Sequence, residues 1–203
     1  MPGLLNDSVS SEKDVGRHLP VLPILHTLSL DFGSAEIKGD VIKYFGALTS
    51  NTLTTLSMSQ HFLSYQDVKL ILKIFNRCDI LVDLQLGISC LTSQLVDLLA
   101  EHCPSLEKLA LYADGYYLGE DQVTLFAQEM AERENHSHIG NVYNRWQLLE
   151  LTMFPELGDF AYYHNSWSIM CAIANAVPSI RTLSGRDRST FATRCQHQSL
   201  GLQ

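Results

Sequence analysis

The fold is decided by the stretch Leu81-Val82-Asp83-Leu84-Gln85-Leu86, which has leucines at its first, fourth and sixth positions. The last two leucines are two residues apart, so on an extended strand they point to one side, while Asp83 and Gln85 point to the other. The same spacing, with methionine sometimes in the last place, recurs in copies that begin at Leu25, Leu53, Leu106 and Leu148, and in a degraded copy that begins at Ile180. The sequence therefore predicts a repeating array of short strands.

A second pattern, between the strand phrases, predicts a helix in each repeat. Leu95, Val96, Leu99 and Ala100 precede Leu106 at the spacing of one apolar stripe on an α-helix. The same offsets hold Leu70, Ile71, Ile74 and Phe75 before Leu81, and Ile169, Met170, Ile173 and Ala174 before Ile180. Helix starts are predicted at Ser64 and at Thr92 or Ser93, because short hydroxyl side chains cap helix N-termini.

The step from Leu106 to Leu148 is longer than the others and contains an insertion between Asp114 and Arg145. Its first half predicts an amphipathic helix over about residues 120–134. This helix would bury its apolar residues and point Glu129 and Glu132 outward. The rest reads as loop, including the part through Val142-Tyr143. Long loops in repeat arrays often line the binding face, although an expansion without a role remains an alternative.

One strand and one helix of this size cannot bury their apolar faces alone, whereas stacked copies form a continuous core. Strands about 4.8 Å apart, backed by thicker helices, make such a stack curve. The sequence thus predicts an α/β solenoid of about six repeats, with parallel strands on the concave face and helices on the convex face. We place this domain at residues 14–185 and expect disordered tails at 1–13 and 186–203.

Composition and charge narrow the classes of function. The apolar fraction of 46% and the charged fraction of 18% predict a folded chain. A net charge of -8 argues against nucleic acid as a partner. No run of apolar residues is long enough for a membrane span, and the N-terminus does not resemble a secretory signal. We therefore expect no membrane association and an intracellular protein, cytoplasmic or nuclear, with its five cysteines reduced.

The stretch from Leu81 to Leu106, with Cys90 and with Cys103 just before Pro104, resembles the cysteine-containing class of leucine-rich repeat. That class is typical of F-box/leucine-rich-repeat proteins, including fungal ones. The resemblance implies a protein-interaction module that recruits substrates to a Skp/cullin/F-box ubiquitin ligase. No F-box pattern is visible, because the stretch 19–25 runs directly into a repeat strand. The chain is then either a fragment whose missing F-box would contact a Skp-like adaptor, or a relative without one. A non-ligase scaffold is the alternative function.

Candidate chemical groups favour structural roles. Cys78 and Cys103 occupy a slot that is apolar in other repeats, which predicts buried packing. His136 and His138 have no third ligand at metal spacing, so a solvated loop is expected. No nucleophile elbow, phosphate-binding glycine loop or His-Glu-x-x-His motif is present. We therefore expect no enzyme activity, no cofactor and no metal.

The predicted binding surface is the concave face of the strands, where the residues between the leucines face solvent. Small hydroxyl side chains come from the early strands, and charged and aromatic ones from the later strands. Exposed aromatic residues are enriched at binding hot spots, so a protein partner is expected at the Tyr112/Phe154 end. An alternative is that these two rings cover the edge of the core. We expect a monomer whose partner-binding residues are Asp31, Asp83, Gln85, Lys108, Tyr112, Glu150, Thr152 and Phe154.

Overall fold

The strands lie in one sheet, in which neighbours follow each other in chain order. The computed structural model describes residues 25–31, 44, 52–75, 80–113, 120–135, 137–155 and 160–190. The strands are β1 (Thr27–Ser29), β2 (Thr55–Leu63), β3 (Asp83–Ile88), β4 (Lys108–Ala113), β5 (Glu150–Pro155), β6 (Thr182–Leu183) and β7 (Arg186–Asp187). All adjacent pairs from β1 to β6 are parallel, and β7 alone pairs antiparallel with β6.

Helices connect the parallel strands from β2 to β6. They are α1 (Tyr65–Ile74), α2 (Ser93–His102), α3 (Glu120–Asn135), α4 (Ser137–Arg145) and α5 (Phe160–Ala176). The predicted α/β class is therefore confirmed, with a mostly parallel sheet. In the part of the chain that the structure describes, no helix combines the length and the apolar character needed to cross a membrane.

The predicted helix starts are confirmed by their hydrogen bonds. The Ser64 hydroxyl accepts from the backbone N–H of Asp67 at 3.3 Å, and an Asp67 carboxylate oxygen accepts from the Ser64 N–H at 2.9 Å. The Thr92 hydroxyl accepts from the Leu95 N–H at 3.2 Å. Each contact satisfies a backbone donor that the first turn of a helix leaves without an intrahelical partner.

The leucines of successive strand phrases stand in register. Leu84 pairs with Leu56 on one side and Leu109 on the other, and the same row continues from Leu28 to Leu151 and Leu183. These side chains belong to one buried cluster with the apolar residues of the helices. Burying one leucine contributes about 1.5–3 kcal/mol. The leucine side of the sheet is therefore the helix-covered side, and the other side, the open face, carries the intervening residues.

The insertion between β4 and β5 packs on the helix side. Helix α3 lies where it was predicted, but Glu129 does not simply point outward, since its carboxylate accepts from the Ser93 hydroxyl of α2. The stretch expected to be loop forms α4, and Tyr143 is fully buried with its hydroxyl donating to Asp97. Trp146 Nε1 donates to the Cys103 carbonyl at 2.9 Å. The interpretation of the part through Val142-Tyr143 as a loop is therefore wrong, and this part packs on the helix side of the sheet rather than lining the open face.

The last two described strands, β6 and β7, form a short hairpin. Strand β7 lies in the region predicted to be a disordered C-terminal tail. Residues Ser184 and Gly185 have φ values of 47° and 72°, as both central residues of a two-residue type I′ hairpin turn require. This turn brings β7 back onto β6, so the predicted boundary at residue 185 falls inside a hairpin. Residues 1–13 and 191–203 of the predicted tails lie outside the described residues.

Candidate functional site

The open face of strands β3, β4 and β5 presents three rows of side chains at matched positions. The charged row consists of Asp83, Lys108 and Glu150, and the polar row of Gln85, Ala110 and Thr152. The aromatic row consists of Gly87, Tyr112 and Phe154. Rows on one face of a strand are two residues apart, which is about 6.7 Å. Because each row consists of residues paired on neighbouring strands, the rows run across the strands.

These rows line an open groove of about 260 Å³. Seven of the eight predicted partner-binding residues are brought together in it, namely Asp83, Gln85, Lys108, Tyr112, Glu150, Thr152 and Phe154. The eighth, Asp31, is exposed just after the edge strand β1 and does not line the groove. The floor at the centre is Ala110, whose small side chain leaves space above the polar row.

The aromatic end of the groove is a stacked pair. The ring centroids of Tyr112 and Phe154 are 4.8 Å apart, with an angle of 22° between the ring planes. Neighbouring strands of a sheet are also about 4.8 Å apart, so two rings at matched positions can stack without distorting the strands. Phe154 remains 45% exposed, because the pairing of β6 with β5 ends at Leu183 and puts no β6 side chain beside the ring. That exposure favours a contact surface over a cover for the core edge.

The charged row continues beyond β5 through the C-terminal hairpin. Thr182 pairs with Glu150, and Asp187 pairs with Thr182. Directly opposed residues of an antiparallel pair lie on one face, so Asp187 extends the row on the open face. Hydrogen bonds to the Asp187 carboxylate from the hydroxyl and backbone N–H of Ser189, at 2.6 and 2.8 Å, lower the pKa of this group. Sequence reasoning missed Asp187; the preceding Ser-Gly pair was the available hairpin signal.

Strand β2 pairs with β3 on the side opposite β4 and is irregular along that pairing. Its register with β3 shifts between Met58 and Leu63, so the chain there is longer than the facing part of β3. Such a bulge makes a strand depart from the ladder. Gly87 is buried although its position belongs to the open face, which places covering atoms over it. The Ser89 hydroxyl and N–H both donate to the Leu63 carbonyl, at 3.1 and 3.0 Å, and fix the end of the bulge. The leucine pattern of the sequence did not signal it.

The cysteine and histidine residues considered as chemical groups do not form a reactive or metal-binding site within the described residues. Cys103 is fully buried, as predicted, whereas Cys78 and His136 lie outside the described residues. Cys90 is exposed, and partial burial raises the pKa of its thiol, which disfavours the reactive thiolate. Among the described side chains, no three His, Cys, Asp or Glu residues come close enough together to hold a metal ion.

A second cavity, also of about 260 Å³, lies between the N-terminal end of α2 and helix α3. Its lining is mainly apolar and includes Leu91, Val123, Phe126 and Ile169. The Glu129 carboxylate that lines it already accepts a hydrogen bond from Ser93. The open-face groove, which combines charges with an exposed ring, is therefore the better candidate site.

Comparisons with known proteins give no family. No family model matches the chain, and no curated protein sequence matches it. One similar solved structure is described as "Leiomodin-1 Actin-Binding Site 2 (ABS2)". The likeness covers 87% of this chain and 88% of that one, with 10% sequence identity and a TM-score of 0.44.

Proposed function

We propose that the chain is a protein-interaction module, built as a leucine-rich-repeat solenoid of about six repeats whose concave surface is the open face. The repeat interpretation is supported by the unbroken row of leucines from Leu28 to Leu183, one on each parallel strand. The observation that carries the binding role is the groove on the opposite side of the same strands. It gathers charged and aromatic side chains that the core does not require.

The chemistry of this groove suits recognition of a protein surface. Tyrosine and other large aromatic side chains dominate binding energies at protein interfaces, and charged groups around them select partners. Phe154 offers an exposed ring, and Lys108 and Glu150 offer charges of opposite sign. No catalytic, cofactor or metal role is part of this proposal, and the module acts as a monomer.

The more specific part of the proposal follows the resemblance to F-box/leucine-rich-repeat proteins. In it, the groove reads substrates for an intracellular ubiquitin ligase, in the cytoplasm or the nucleus, and a Skp-like adaptor binds through an F-box encoded beside this region. A scaffold that only holds partners together is the alternative. An in-frame F-box in the neighbouring genomic sequence would favour the ligase.

The binding role is tested by a photo-crosslinking amino acid placed at Thr152, at the middle of the groove, in the full-length protein in its native cells. The matched position is Gln128, which is exposed on α3. We expect discrete protein adducts from position 152 and not from position 128. Adducts from position 128 alone would contradict the open face as the binding surface.

The ligase part is tested in the same cells by identifying the crosslinked and co-purifying proteins. A Skp-like protein together with a ubiquitin-linked client, lost in a Thr152→Arg variant but kept in Gln128→Arg, is the expected result for substrate recognition. Adducts at position 152 without any Skp-like protein or ubiquitin would reject the ligase role and leave the scaffold role.

A further inference from the structure

We propose that the groove receives an extended basic segment of a partner protein, with an arginine guanidinium stacked on the outer face of Phe154 and a second cationic side chain at the charged row. This inference rests on the proposed function, because it names the chemistry of the partner that the open face binds. It depends on three observations: the charge of the row, the exposure of the Phe154 ring and the distance between the row and that ring.

The described residues of the charged row carry a net negative charge. With Asp187 added, the charged row carries three carboxylates, on Asp83, Glu150 and Asp187, against the single ammonium group of Lys108. Arg186 is paired with the buried Leu183, so its position belongs to the other face of the sheet. The whole chain has a net charge of -8, which also favours the approach of a cation.

The outer face of the Phe154 ring is the place where a flat cation fits. Tyr112 covers the inner face at 4.8 Å. On the other side the chain turns back at Ser184 and Gly185, so β6 provides no neighbouring side chain. A guanidinium group stacks on aromatic faces and is more weakly hydrated than an ammonium group, so arginine fits this position better than lysine.

The separation of the two subsites fixes the shape of the ligand. Glu150 and Phe154 are four residues apart on β5, a distance of about 13 Å along the strand. Side chains four residues apart on an extended peptide have the same spacing and point to the same side. The small Ala110 between the rows leaves room for the intervening backbone. The segment therefore has two cationic residues with three residues between them.

The test uses a synthetic peptide of this pattern, acetyl-Ser-Gly-Arg-Ser-Gly-Ser-Arg-Gly-Ser-amide, titrated into the isotope-labelled full chain by NMR at low salt. We expect shift changes at the backbone amides of Glu150, Thr152 and Phe154. The side-chain protons of one arginine should move upfield under the ring current. Replacing both arginines with citrulline, which has nearly the same shape without the charge, should weaken binding at least about tenfold.

Variants separate the two subsites. Phe154→Ala should weaken the peptide about threefold and abolish the upfield shift, and Glu150→Gln should weaken it about threefold while keeping that shift. The matched controls are Leu125→Ala and Asp121→Asn, both at exposed positions on α3. Neither control should change the dissociation constant.

Three outcomes would overturn the inference: equal binding of the arginine and citrulline peptides, preferential binding of a peptide with glutamate in place of arginine, or no shift changes at the groove. None of these outcomes rejects the proposed function, which depends on adducts from position 152. Conversely, an arginine peptide that binds at the groove, in a protein that gives no adducts in cells, would support the subsite chemistry and contradict the cellular role.

Discussion

The two faces of strand β3 differ although their residues alternate along one short segment. Leu84 is fully buried and packs with the helices, while its neighbours Asp83 and Gln85 are half-buried on the open face. The same alternation holds on β4 and β5. The difference teaches that buried and accessible residues alternate along the same strands. Under the proposed binding role, substitutions one position apart should therefore have separable effects on stability and on binding.

The largest effect should come from Leu84→Asp. An unpaired carboxylate would enter the centre of the leucine row, between Leu56 and Leu109, where no water can solvate it. We expect a loss of more than about 4 kcal/mol, which is enough to unfold many domains. Urea denaturation followed by circular dichroism measures it. A folded variant with near-normal stability would show that Leu84 does not face the core.

A smaller effect is expected from Trp146→Phe, which tests whether the insertion belongs to the helix side. The substitution removes the Nε1–H donor to the Cys103 carbonyl, which keeps the Leu106 N–H as a donor at 3.1 Å. It also puts a smaller ring into a fully buried site. We expect a loss of about 2 kcal/mol in the free energy of unfolding. Leu125→Ala, at a position 56% exposed on α3, is the control and should change it by less than about 0.5 kcal/mol. Equal losses of stability in Trp146→Phe and Leu125→Ala would mean that Trp146 and the insertion do not pack in the core.

Tyr143→Phe sharpens the same comparison and adds a pH dependence. Burial, followed by the hydrogen bond to Asp97, raises the pKa of the Tyr143 hydroxyl above its ordinary value of 10.0. A raised folded-state pKa means that this contribution is fully present below pH 10 and is lost as the pH rises above it. We expect the variant to lose about 1–2 kcal/mol at pH 7. It should also show a weaker alkaline decline than the native protein in unfolding curves measured from pH 8 to pH 11. Parallel declines would contradict the buried hydroxyl.

The smallest effect on stability should come from Asp83→Ala, one residue before Leu84. The Asp83 side chain lies on the open face, so we expect the free energy of unfolding to change by less than about 0.5 kcal/mol. Binding of the arginine peptide should weaken instead, and NMR titration measures both the affinity and the integrity of the fold. A loss of stability as large as that of Leu84→Asp would mean that the strand register is wrong.

The repetitive part of the fold was predictable, because its information is local. The alternation in Leu84-Gln85-Leu86 sets both the strand and its buried side, and Ser64 and Thr92 mark helix starts by side-chain chemistry alone. Seven groove residues followed from the same alternation. The prediction that Leu70 lies in the buried stripe is wrong, since this side chain is 39% exposed. An apolar stripe shows which side of a helix is buried, but it does not show how wide the neighbouring element is.

The parts that escaped prediction depend on contacts distant in sequence. Helix α4 has a polar sequence. It is fixed by hydrogen bonds that Tyr143 and Trp146 donate to Asp97 and to the Cys103 carbonyl, more than forty residues earlier in the chain. The bulge of β2 depends on how β3 ends at Ser89. No leucine periodicity encodes either contact. The residues of the groove were thus predicted, but the bulge of β2 and the extension of the charged row to Asp187 were not.

The separation of the two faces is tested most directly by thiol labelling along β4. Single cysteines would replace, in turn, the residues at positions 108 to 112 in a background in which Cys78, Cys90, Cys171 and Cys195 are replaced by alanine and the buried Cys103 is kept. The labelling rate of the folded protein would be measured against this background. We predict fast labelling at 108, 110 and 112 and rates at least about tenfold slower at 109 and 111, where a thiol reacts only after local opening. Rates without this alternation, or with the opposite phase, would contradict the account.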